Sequence, residues 1–199
     1  RRAVSATLER PALLSVHADG IPAAMRLQRR WVGFRLQLRG EKWTKVPCIA
    51  TAPFSEASST DPGTWRTFDE ALAAYAQGRC DGIGFVLGNG WSGFDVDGTD
   101  APEFVGLLNS YTERSVGGRG IHVICRGTKP GRHARKGPYE LYDSGRYFTV
   151  TGHHIPGTPA TVEERTAELA ALYARLFTNG NGNGDGGSPT STATSNTLD

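Results

Sequence analysis

The chain has 199 residues, 38% apolar and 21% charged, with 26 Gly, 11 Pro, 3 Cys and a formal net charge of +2. This excludes a fibrous or wholly disordered chain, and no apolar run approaches the ~20 residues of a membrane helix, so a soluble cytoplasmic protein of one domain, or of two small lobes sharing a site, is expected. Cys48, Cys80 and Cys125 are isolated in sequence, support neither a disulfide framework nor a zinc ribbon, and are expected as reduced, buried thiols. The first residue is Arg1 and the single Met is Met25, which reads as a piece of a longer chain.

Residues 1–20 carry no sustained period and are expected as a short helix or mobile arm. Ile21 to Arg30 reads as a short helix feeding a strand from Trp31 to Leu38, with a turn at Gly40-Glu41. Trp43 to Pro47 reads as an edge strand, because Pro47 has no N–H for a ladder, and a loop rich in Ser, Thr, Pro and Ala follows as far as Thr64. Thr67 with Glu70 three residues on is a capping box, opening a helix whose apolar stripe is Ala71, Leu72 and Tyr75. The strands Gly82 to Leu87 and Trp91 to Asp97, joined by Gly88-Asn89-Gly90, read as a hairpin. A helix from Asp100 to Ser110, a strand from Ile121 to Cys125, two strands around Asp143-Ser144-Gly145 and a closing helix from Val162 to Phe177 complete the folded part. Strands outnumber helices and are joined mostly by hairpins, which predicts an α+β fold. Residues 178–199, with Asn-Gly repeats followed by Ser and Thr, read as a flexible linker to a further domain.

Three constellations can carry chemistry. Asp95 and Asp97 alternate with Phe94 and Val96, so both carboxylates share one face of a strand about 7 Å apart. A divalent cation with oxygen ligands relieves their repulsion, although two acids at a hairpin end can also simply face water. Ser115-Val116-Gly117-Gly118-Arg119-Gly120-Ile121-His122 suits a phosphate cradle of backbone N–H groups and side-chain donors, or an ordinary flexible turn leading to a core histidine. Asp143-Ser144-Gly145 suits a three-residue hairpin loop, a register that places Glu140, Tyr142, Arg146 and Phe148 on one face. The cations Arg114, Arg119, Arg126, Lys129, Arg132, Arg135 and Lys136 form a one-sign stretch without an acid, which attracts phosphates.

These motifs in this order, with Trp31-Val32, Lys42-Trp43-Thr44-Lys45-Val46-Pro47, Gly82-Ile83-Gly84-Phe85-Val86 and Tyr111-Thr112-Glu113, closely resemble the primase-polymerase (prim-pol) domains of phage and plasmid replication proteins, in the archaeo-eukaryotic primase superfamily. The resemblance runs from about Ile21 to Gly152. It implies a two-lobed fold, an α/β lobe packed on an antiparallel sheet shaped like an RNA-recognition module, with the active site in the cleft. It implies that Asp95, Asp97 and Glu140 hold two Mg²⁺ or Mn²⁺ ions. By the same resemblance Ser115, Gly118, Arg119, Gly120, His122, Arg146 and Lys45 contact the nucleotide, and Gly120-Ile121-His122 matches the family's small-x-His motif. Where the family often reads Ser-Pro-Ser-Gly, this chain has Ser115-Val116-Gly117-Gly118, so the hydroxyl at position 117 is missing.

The implied activity is template-directed nucleotidyl transfer in DNA replication, with single-stranded DNA template, primer and dNTP or NTP as partners, and a helicase or accessory domain downstream. Residues 21–177 would be the catalytic domain, residues 1–20 its arm and residues 178–199 a linker. Tyr142 is a candidate sugar contact, and Arg126, Lys129, Arg132, Arg135 and Lys136 are candidates for DNA. Two other classes stay open: a non-catalytic replication-initiation module that binds DNA, and a metal-dependent nuclease or relaxase using the same carboxylates.

Overall fold

A computed structural model describes residues 8–178 and the backbone of residues 196–197. The elements in chain order are α1 (Ala23–Arg26), β1 (Trp31–Arg39), β2 (Lys42–Ile49), β3 (Ala52–Glu56), α2 (Phe68–Ala76), β4 (Gly82–Val86), β5 (Trp91–Val96), α3 (Pro102–Leu108), β6 (Tyr111–Arg114), β7 (Ile121–Arg126), β8 (Arg135–Lys136), β9 (Tyr139–Tyr142), β10 (Tyr147–Val150), α4 (Thr166–Tyr173) and β11 (Asn196–Thr197). The fold is α+β, as expected, and is compatible with a primase-like architecture.

Two antiparallel sheets carry it. The first runs β10-β4-β1-β2-β11, with β3 also pairing β2; the second runs β6-β7-β5-β9-β8. Every strand pair is antiparallel among the described residues, so the expected α/β lobe is an antiparallel sheet with α2 packed on β1 and β4. Thr67 and Glu70 form the capping box of α2: Glu70 N donates to Thr67 Oγ1, and Thr67 N donates to Glu70 Oε2 at 2.9 Å. In the second sheet Phe94, Val96, Ile121, Val123 and Leu141 point to one face and pack against Leu108 of α3 and Leu169 and Leu172 of α4. Its other face meets the first sheet through Phe148 of β10. Gly93 lets the two approach, because a Cβ there would lie 2.4 Å from the Phe148 ring.

Several expectations are corrected. Gly82–Val86 and Trp91–Val96 are not a hairpin, for they lie in different sheets and share only the bridge between Gly88 and Trp91. Gly88, Asn89 and Gly90 all have positive φ, at 121°, 54° and 79°, and this turns the chain out of one sheet into the other. The strands flanking Asp143-Ser144-Gly145 are not paired either: β9 joins β5 and β8, while β10 satisfies the second edge of β4.

Part of the segment expected as a loop is β3, so β2 is paired on both sides rather than being an edge. The last helix starts at Thr166, four residues later than expected, because Arg126 N and O bond to Glu163 O and Arg165 N and hold that stretch extended along β7. Residues 8–20 are not an α-helix. They form an extended segment ending in a 3₁₀ turn at Ala18–Gly20, tied down by Leu14 N to Val116 O and His17 N to Thr151 O. Most of the linker expected at 178–199 lies outside the described residues.

Candidate active site

The register of the second sheet builds the site. Glu113 on β6 stands opposite His122 on β7, His122 opposite Asp95 on β5, Asp95 opposite Glu140 on β9, and Glu140 opposite Arg135 on β8. Directly opposed residues of antiparallel strands share a face, so five side chains from five strands form one row across the sheet. Asp97, two residues beyond Asp95 along the chain, joins Asp95 and Glu140. Asp95, Asp97 and Glu140 each place a carboxylate oxygen within 4.8 Å of the others.

The row opens into a cavity of about 530 Å³. Besides the three acids it is lined by His122, Ser115, Gly117, Arg119, Gly120 and Arg135, and by Lys42 and Lys45 of the first sheet. Acids at one end and cations around them suit a ligand that brings both a divalent ion and phosphates.

Asp95 has an unsatisfied carboxylate oxygen. Its Oδ1 is buried without a hydrogen bond, and His122 Nε2 lies 3.4 Å away. Burial raises its pKa, against the pull of His122. An orphaned carboxylate oxygen beside two further carboxylates is a hard, all-oxygen donor set, and it fits a divalent cation.

The first sheet holds His122 from above. Its Nδ1 donates to Thr149 O at 3.0 Å, and its ring lies 4.8 Å from that of Phe148. Burial alone would lower the imidazole pKa, but Asp95 and Glu113 outweigh it and the pKa is raised.

Behind His122, Glu113 is fully buried and accepts from Tyr111 Oη at 2.8 Å, Gly152 N at 2.8 Å and Thr151 N at 3.1 Å. Its Oε1 is 3.8 Å from His122 Nδ1. Sequence reasoning quoted Glu113 only as part of a family pattern and gave it no role, since its place behind His122 depends on cross-strand register. Lys42 was missed as well.

Other assignments shift. Glu140 is held by Arg135 and by Tyr142 Oη, which donates to Oε2 at 2.6 Å. Arg135 therefore belongs to the cavity, and Tyr142 to the support of Glu140. Arg146 does not line the cavity; its guanidinium lies 4.9 Å over the Tyr142 ring.

In the glycine loop, the N–H groups of Ser115 and Gly118 donate to Gly120 O and Ser115 O, and that of Gly120 donates to Ser115 Oγ. These donors are used inside the turn, so Gly118 and Gly120 do not offer the expected backbone cradle, whereas the Arg119 side chain reaches the cavity.

The one-sign stretch is dispersed. Arg114 pairs with Asp100 at 2.5 Å, and Lys129 Nζ donates to Gly131 O and His133 O. Arg126 stacks on Trp91 at 4.6 Å and faces Glu164. Arg132 and Lys136 are exposed.

No family model matches the chain. It is similar to a protein named DNA primase-polymerase from Nitratiruptor phage NrS-1, being 34% identical over 157 residues, a stretch covering 69% of this chain and 21% of the relative. The chain thus spans about a fifth of that relative's length. No helix among the described residues is long and apolar enough to cross a membrane. Sequence similarity therefore makes the chain a homologue of the phage DNA primase-polymerases, and the resemblance to primase-polymerase domains is borne out.

Proposed function

We propose that the chain is a catalytic prim-pol domain, a DNA-directed nucleotidyltransferase that adds nucleotides along a DNA template in the replication of a phage or plasmid-like element. The observation that carries this reading is the row Glu113, His122, Asp95, Glu140, Arg135, with Asp97 beside Asp95 and Glu140, at a cavity rimmed by Lys42, Lys45 and Arg119. The named relative supports it.

Asp95, Asp97 and Glu140 would hold Mg²⁺ or Mn²⁺. When bound, the ions lower the pKa of an attacking 3′-hydroxyl and stabilise charge on the α-phosphate and the leaving pyrophosphate. The chain's own groups bind and orient. Lys45, Lys42 and Arg119 neutralise a triphosphate, and His122 stands between the acids and the buried Glu113. Tyr142 and Arg135 fix the Glu140 carboxylate, and the stacked Arg146 steadies Tyr142. The Tyr142 ring beside Glu140 remains the candidate sugar contact.

The test is nucleotide incorporation on single-stranded templates, primed and unprimed, with dNTPs or NTPs and Mg²⁺ or Mn²⁺. Incorporation should vanish in Asp95→Ala/Asp97→Ala. The divalent ion should raise the melting temperature of the parent, because a ligand that binds only the native state stabilises it, and not that of the double variant. DNA binding with no incorporation in either metal would favour the non-catalytic replication module instead.

A further inference from the structure

Phe54 is 90% exposed, more than any other large hydrophobic side chain among the described residues. It sits on β3 with the Arg35 guanidinium 4.9 Å over its ring. The β1–β2 register puts Arg35, Gln37 and Arg39 on one face, opposite Val46, Thr44 and Lys42. Beneath Phe54 is a groove of about 290 Å³ whose walls include Arg35, Gln37, Val46, Pro53 and Glu56. Arg39 reaches Glu56 at 3.3 Å, but both side chains are well exposed, and such a pair is weak and easily exchanged for another anion. Lys42 stands opposite Arg39 in the register and also lines the catalytic cavity.

A solvated aromatic ring beside three cations and one exchangeable acid matches what unpaired nucleic acid requires: a π-face for a base and positive charge for its backbone. A ring so exposed contributes little to the core. We propose that the outer face of β1, β2 and β3 is a platform for single-stranded DNA, with a base stacked on Phe54 and phosphates held by Arg35 and Arg39. This rests on the nucleic-acid reading above, in which a strand must be held outside the cavity it enters.

The test is the affinity of the 199-residue chain for a fluorescein-labelled oligothymidylate, followed by anisotropy without nucleotide or divalent ion across a salt series. Phe54→Ala should weaken binding roughly five- to one-hundred-fold at an unchanged melting temperature, and Phe54→Tyr should restore it. Arg35→Ala/Arg39→Ala should flatten the salt dependence by about 0.7 in log K per log salt for each phosphate no longer neutralised. Three results overturn the proposal: Phe54→Ala binding the oligonucleotide as tightly as the parent, Phe54→Ala losing affinity for blunt duplex equally, or a Phe54-dependent self-association with unchanged DNA affinity, which would make the face a contact between copies.

Incorporation is measured in parallel at saturating template. Parent incorporation with Phe54-independent binding removes the platform and keeps the polymerase reading. Phe54-dependent binding without parent incorporation does the reverse.

Discussion

Glu113 shows how much a single buried side chain can decide. A carboxylate without solvent is stable only if donors replace its water, and Tyr111, Thr151 and Gly152 supply them. Glu113→Gln turns one acceptor into a donor aimed at backbone N–H groups. It should destabilise the protein by about 1–3 kcal/mol in chemical unfolding. It should also loosen His122, raising KM for nucleotide more than it lowers kcat, while Asp100→Asn, on the exposed pair with Arg114, should leave both stability and kinetics unchanged. An equal response in the two variants would end the role given to Glu113. Asp95, Asp97 and His122 were legible in sequence because strand alternation and a short motif mark them. Glu113, Lys42 and the cavity role of Arg135 were not, because nothing local links them to the acids.

At the scale of elements, the strands were found more reliably than their partners. Local apolar pattern and turn residues locate Trp31–Arg39, Trp91–Val96 and Ile121–Arg126 within a residue or two, and the capping box placed α2. Pairing was misjudged wherever glycine-rich turns suggested hairpins. The competition there is between a tight turn and an open strand edge elsewhere, and the second wins when burial is at stake, as when β10 completes β4.

The glycines give opposite predictions. Gly93→Ala drives a methyl group into Phe148, the residue that joins β10 to the row, and should cost about 1–3 kcal/mol and reduce nucleotide incorporation. Gly106→Ala, within α3 and with no atom within 4 Å of the new Cβ, should stabilise by about 0.5–1 kcal/mol. Thermal or denaturant melts of both variants decide it, and a shift of the same sign in both would contradict the packing described.

Across the whole molecule, all three cysteines are buried free thiols, Cys48 and Cys80 in the cluster around Trp31 and Phe85 and Cys125 in the one beneath the second sheet. Burial pushes Cys48 and Cys125 up to about 12, and Cys80 is also raised by burial. In the unfolded chain these thiols ionise near pH ~8.5, whereas the native state keeps their protons. Above that pH the unfolded state is the one that gains by losing protons, so stability falls as pH rises from ~8.5 toward the folded values. Iodoacetamide should label none of the three quickly in the folded protein at mildly alkaline pH and all three in guanidinium; one fast-reacting thiol in the native state would contradict this placement.

The sequence by itself determined the α+β class, most strand positions and the Asp95, Asp97 and His122 motifs, because these depend on alternation, turn chemistry and residue type within a few positions. Only the tertiary structure decided which strands pair, that Glu113, His122, Asp95, Glu140 and Arg135 form one row, and that Lys42 and Lys45 close the cavity from the other sheet. Those relations are set by hydrogen-bond register and sheet packing between segments up to about a hundred residues apart, as in the bond from Tyr147 Oη to Lys45 O, and no local pattern encodes them.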